Sequence, residues 1–146
     1  MFKQLLLWSV GLFVALQAIQ IDIPSPPQTL NPNLEIHAPQ KIQAMLERSC
    51  YDCHSYKTKM PWYGHISPFS LEVKSHIKHG REAVNFQEWA TYDKAKQEKI
   101  YRGIMKTIHF RMPMPMYLTI HKEARLSKQE RDSIEAWAKA SLEQAR

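Results

Sequence analysis

Cys50, Cys53 and His54 stand in the stretch Arg48-Ser49-Cys50-Tyr51-Asp52-Cys53-His54-Ser55-Tyr56, and these two cysteines are the only ones in the chain. Two thiols three residues apart with an imidazole directly after them fit three chemistries. A zinc site would use them as half of its ligands and draw the rest from His65, His76, His79 or His109, since no other cysteine exists. A redox dithiol expects a βαβ setting around its Cys-x-x-Cys pair. Covalent c-type haem attachment needs these residues in this order. Two thiols about one helical turn apart reach the two vinyl groups, and the next residue brings an imidazole under the iron. The chain shows no strand pattern and no second cysteine pair, so haem attachment is the reading the residues favour.

An iron held by His54 has a second axial position. The stretch Arg111-Met112-Pro113-Met114-Pro115-Met116-Tyr117-Leu118 offers three thioethers for it. Alternating proline opposes a helix, so the stretch is expected to run extended across a surface. A thioether on such a strap is a soft ligand that raises the reduction potential above that of a bis-histidine iron. The ordinary role of methionine is packing, and His76, His79 and His109 are rival ligands. The same methionines beside His109 would suit Cu(I), but a copper site leaves Cys-x-x-Cys-His unexplained. His121, at the end of the strap, is expected to fix it by a hydrogen bond, and His37 and His65 are given no role. Arg81 can pair with a haem propionate or satisfy the carbonyls of a helix expected to end near Gly80. Trp62, Tyr63, Phe86 and Trp89 are read as haem-pocket or core aromatics.

Helices must position these groups. Ile42, Met45, Leu46 and Ser49 recur at helical spacing, and Cys50 and Cys53 continue the stripe. A helix over residues 40–53 would turn both sulfurs toward the core. Ser67-Pro68 predicts a helix start with proline at its first position, with Phe69, Val73 and Ile77 as its apolar stripe. Ile100, Ile104 and Ile108 predict a helix over 93–108. Ser127 to Glu130 reads as a capping box, opening a last helix with Ile134, Trp137 and Ala138 inward. Four glycines against nine prolines suit helices joined by proline-marked loops rather than a glycine-rich nucleotide fold. The expected class is all-α, with the haem-bearing and C-terminal helices crossing as in cytochrome c by analogy.

The chain has 146 residues, 44% of them hydrophobic and 23% charged, which predicts folding rather than disorder and one domain plus its ends. Lys3 is followed by a run from Leu5 to Ile21 that is apolar apart from Ser9, Gln17 and Gln20. This is the layout of a signal sequence, but Ala15-Leu16-Gln17-Ala18 gives no clean cleavage site. Residues 1–23 are therefore expected to form a signal anchor or transmembrane helix in the inner membrane. Lys3 would leave the rest on the periplasmic side. Pro24, Pro26, Pro27, Pro32 and Pro39 mark residues 24–39 as a tether, and residues 40–146 as the haem-binding domain. The net charge is +6, and it is +5 beyond residue 21, because Lys3 is the only charged side chain before that point. Two ionised propionates would leave about +3, which suits a redox partner with an acidic docking face. Basic residues are spread along the chain with no aromatic-interleaved patch, so no nucleic-acid partner is expected.

From about residue 46 to 138 the sequence resembles the bacterial haem-binding domain proteins, which have a cytochrome c-like fold and are often exported and membrane-anchored. The likeness rests on Ser49-Cys50-Tyr51-Asp52-Cys53-His54-Ser55, Thr58, Pro61-Trp62-Tyr63 and Ile66-Ser67-Pro68. It continues through His76, Gly80-Arg81, Asn85-Phe86, Trp89, Met112-Pro113, Pro115, Tyr117, His121 and Ala124-Arg125-Leu126-Ser127. Tyr56 departs from the asparagine usual after the serine, and Met114 and Met116 duplicate the candidate sulfur. The resemblance implies haem binding and electron transfer, and its Met-Pro selects Met112 as distal ligand with Met114 as second choice. The reading is one covalent haem c, attached by haem-attachment machinery through Cys50 and Cys53, with His54 proximal. Trp62, Tyr63 and Arg81 are placed in the pocket. The function expected is that of an electron carrier rather than an enzyme. The alternative is a haem enzyme or gas or redox sensor with an open or displaceable distal site.

Overall fold

The computed structural model describes residues 1–144, which form seven α-helices joined by short 3-10 turns, with no strand among them. The helices are α1 (Phe2–Leu16), α2 (Gln40–Ser49), α3 (Tyr51–His54), α4 (Phe69–Ala83), α5 (Lys94–Thr107), α6 (Pro115–Ile120) and α7 (Lys128–Gln144). The cysteine stripe folds as α2 and α3, with a kink in the backbone at Cys50. Ile42, Leu46, Tyr51, Phe86, Ile100, Ile108 and Ile134 form one buried cluster at the centre. The α7 helix packs on both α5 and α2, and Arg48 of α2 pairs with Glu130 of α7 at 2.7 Å. Its start is a capping box: the Ser127 N–H donates to Glu130 at 2.7 Å, and the Glu130 N–H donates to Ser127 Oγ at 3.2 Å.

Three local expectations change. Gly80 does not end α4, which continues to Ala83, and its lack of a side chain serves a close helix contact instead. The methionine strap is not extended throughout, because Pro115 sits at the first position of α6, where its missing N–H costs nothing. Ser67 does not cap α4 by its side chain; its hydroxyl pairs with that of Ser70 at 3.0 Å.

The transmembrane helix or signal anchor expected over residues 1–23 is corrected. No helix among the described residues is long and apolar enough to cross a membrane. The α1 helix has 15 residues, a length of about 22 Å against the roughly 30 Å of a bilayer core. At its end Gln17 turns its amide onto the backbone of Ser67, donating to the carbonyl at 3.2 Å and accepting from the N–H at 3.0 Å. The localisation expected from that run, inner-membrane anchoring with the domain facing the periplasm, is corrected with it. The chain then follows α4: Lys74 donates to Gln20 at 2.7 Å and Arg81 to the Pro24 carbonyl at 2.7 Å. Within the proline-marked segment, Ile36 is only 1% exposed, and its N–H donates to the Phe86 carbonyl at 2.7 Å.

Candidate functional site

The α3 helix places His54 against α4. Its Nδ1 lies 2.9 Å from the Gly80 carbonyl and 3.2 Å from the Val84 carbonyl. Carbonyls only accept, so Nδ1 carries the proton and Nε2 keeps a free lone pair. Burial pushes the His54 pKa down, and the two carbonyl bonds oppose that shift in part. The side chain is thus a neutral, oriented imidazole, the form that binds a metal. Gly80 makes this contact possible. A Cβ at this position would stand 2.5 Å from the Cys53 carbonyl oxygen and 3.1 Å from its carbon.

Both cysteines, His54 and the final turns of α4 line a cavity of about 900 Å³. The rest of its wall comes from α2, the 3-10 turn at Phe86, α5, α7 and the methionine strap, including Leu46, Phe86, Ile100, Ile104 and Ile134. Burial pushes the Cys50 thiol up to about 12 and the Cys53 thiol up to about 11. Such thiols stay protonated at neutral pH, which opposes a redox dithiol role that depends on thiolate.

Met112 and Met114 line the same cavity, together with Tyr117. Met116 does not; it is 70% exposed. His76 and His79 also border the cavity, with His76 paired to Glu72 at 3.0 Å. His109 is turned away and bonds Glu135 at 2.8 Å.

Trp62 and Tyr63 line a smaller neighbouring cavity of about 370 Å³ rather than the large one. The two cavities share Asp52, Cys53, His76, Met114 and Tyr117. The Tyr63 hydroxyl meets His121 Nε2 at 2.8 Å, while the His121 ring stacks on Tyr117 at 4.2 Å. Arg81 does not line the large cavity. Its guanidinium donates to the Ser55 carbonyl at 2.8 Å and to Thr58 Oγ1 at 2.9 Å, besides Pro24. It lies over the Tyr56 ring at 5.0 Å, so the tyrosine that departs from the expected asparagine helps to hold it. Arg81 thereby braces the loop that follows His54.

Two residues escaped the sequence reading. Asp52, between the cysteines, accepts from the Tyr117 hydroxyl at 2.7 Å and the Lys59 N–H at 3.0 Å, tying α3 to α6. A charged residue between two core-facing cysteines was its only signal. Arg131 of α7 reaches back to the methionine strap; an arginine in the first turn of a helix runs against the macrodipole, which was a signal in plain view.

The donor set suits haem: one oriented imidazole, two thiols beside it, thioethers lining the same cavity, and an apolar space in the size range of cofactor sites. A family model described as a haem-binding domain matches residues 11–140. No curated protein and no solved structure matches the chain.

Proposed function

The chain belongs to the haem-binding domain family, and from that premise we propose that it holds a single c-type haem and serves as an electron carrier. Cys50 and Cys53 would hold the haem covalently, each adding its sulfur and its hydrogen across one vinyl group. His54 Nε2 and the Met112 thioether would hold its iron, with Met114 as second choice. The observation that carries this reading is the His54 imidazole, held at Nδ1 by two main-chain carbonyls with Nε2 left free.

Haem, when bound, supplies a one-electron ferric–ferrous couple whose potential follows its axial ligands. The protein's part is to hold and to insulate. Gly80 and Val84 fix the imidazole ring, Asp52 ties α3, which carries it, to Tyr117 of α6, and Arg81 fixes the loop that follows. Phe86, Ile100 and Ile134 are buried along the cavity wall and exclude water from it. The positive charge beyond residue 21 favours a redox partner with an acidic docking face.

One observation supports a second reading, a gas or redox sensor or enzyme with a displaceable distal ligand. The 370 Å³ apolar cavity borders Tyr117 and Met114, the second-choice ligand, and offers a small molecule a place next to that sulfur. Exposure of the reduced holo-protein to CO decides between them. Slow or absent binding supports the carrier, and rapid binding to the wild type overturns it in favour of the sensor.

A further inference from the structure

We propose that Arg131 is a positioning residue that selects Met112 over Met114 as the distal sulfur; the inference rests on the reading that a methionine of this strap is the distal ligand. Arg131 stands in the first turn of α7, and three main-chain carbonyls from three segments converge on its guanidinium. Nε donates to Leu126, just before the α7 cap, at 3.3 Å. One terminal nitrogen donates to Met112 at 2.8 Å and to Ile108, the residue that closes α5.

The backbone of Met112 is held on its other side as well. Its N–H donates to the Thr107 carbonyl at 3.0 Å, which also receives the N–H groups of Phe110 and Arg111 at 3.2 and 2.9 Å. Both polar groups of the Met112 main chain are therefore fixed, one by α5 and one by α7. Beyond it Pro113 offers no N–H, and the next main-chain bond in the strap is Leu118 N–H to the Met114 carbonyl at 3.1 Å, within α6. Without Arg131, Met112 keeps one tie of two while Met114 keeps its own.

A guanidinium suits the task, because its planar fork meets several acceptors at fixed angles where an ammonium is a single point. The end of α5 also presents the negative pole of its dipole to that charge. The next turn is tied to α7 by a separate link, since His109 lies 2.8 Å from Glu135 and 3.9 Å from Asp132. Loss of Arg131 therefore frees the strap without detaching α5.

The test compares wild-type, Arg131→Gln, Arg131→Lys, Met114→Ala and Arg131→Gln/Met114→Ala holo-proteins. Each is read by the ferric sulfur-to-iron charge-transfer band, the CO association rate and helical content. Loss of a charge-assisted bond at Met112 should raise the CO rate about tenfold or more in Arg131→Gln, with helical content unchanged. Arg131→Lys, which restores one contact, should fall between. Any band left in Arg131→Gln should vanish in the double variant, although Met114→Ala alone keeps the wild-type band. Wild-type band and CO rate in Arg131→Gln overturn the inference alone. A wild type without the band overturns the methionine reading and this inference with it. If Arg131→Gln yields no holo-protein, Arg131→Lys decides by the same readouts, and wild-type behaviour there overturns the inference.

Discussion

His54 and Gly80 are held together through absence as much as through contact. The imidazole Nδ1 reaches the Gly80 carbonyl at 2.9 Å only because residue 80 has no Cβ to meet the Cys53 carbonyl at 2.5 Å. Gly80→Ala should push α4 away from α3, since the opposing atoms are backbone and cannot rotate aside. The expected cost is about 1–3 kcal/mol in stability, read as a lower melting temperature. The holo-protein should also show an altered reduction potential, because the imidazole loses its nearer acceptor. An unchanged potential would show that Val84 alone orients the ring.

Cys50 and Cys53 should resist alkylation in the folded apo-protein at pH 8. Burial raises both thiols, Cys50 to about 12 and Cys53 to about 11, so thiolate forms only well above neutrality. Iodoacetamide labelling should be slow at pH 8, rise steeply toward pH 11, and be fast at pH 8–9 in denaturant. Linkage has a definite sign here. Between the unfolded value near 9 and the folded values, the native state binds more protons, so stability falls as pH rises through that window. Rapid labelling of native protein at pH 8 contradicts the burial argument.

Covalent attachment is read by acid–acetone extraction of protein matured with the haem-attachment machinery. Haem should stay with the wild-type polypeptide. Cys50→Ala or Cys53→Ala should release most of it. Full extraction from the wild type, with haem still bound before extraction, would leave His54 ligation but remove the thioethers.

The distal assignment separates methionines two residues apart. Met112→Ala should abolish the sulfur-to-iron band, speed CO binding and lower the potential, within the roughly 0.8 V over which axial ligands act. Met114→Ala should leave all three nearly unchanged. A band lost in Met114→Ala alone moves the ligand by two residues, and a band lost only in the double variant makes the two sulfurs interchangeable.

Much of this was legible where the physics is periodic. The stripe from Ile42 to Cys53, the Ile100–Ile108 repeat and the Ser127 capping box all write a helix into adjacent residues. The same logic misled at Gly80, where a local rule about helix ends met a contact with residue 53 that no neighbouring residue announces. It misled again at Pro115, whose position within its element decides whether it breaks a helix or begins one. At the amino end the apolar run continues to Ile21, but Gln17 and Gln20 find partners at Ser67 and Lys74. The candidate ligands were visible as residue types. What holds them was not, because Asp52–Tyr117 and Arg131–Met112 pair residues far apart in the chain.

The ties of Gln17 to Ser67, Gln20 to Lys74 and Pro24 to Arg81 fall seven residues apart, from just before α4 to its last turns. The chain after α1 is thus stitched to this helix at three points, and a pull on α1 is shared among them. The last is Arg81, which passes it through Ser55 and Thr58 to the loop behind His54.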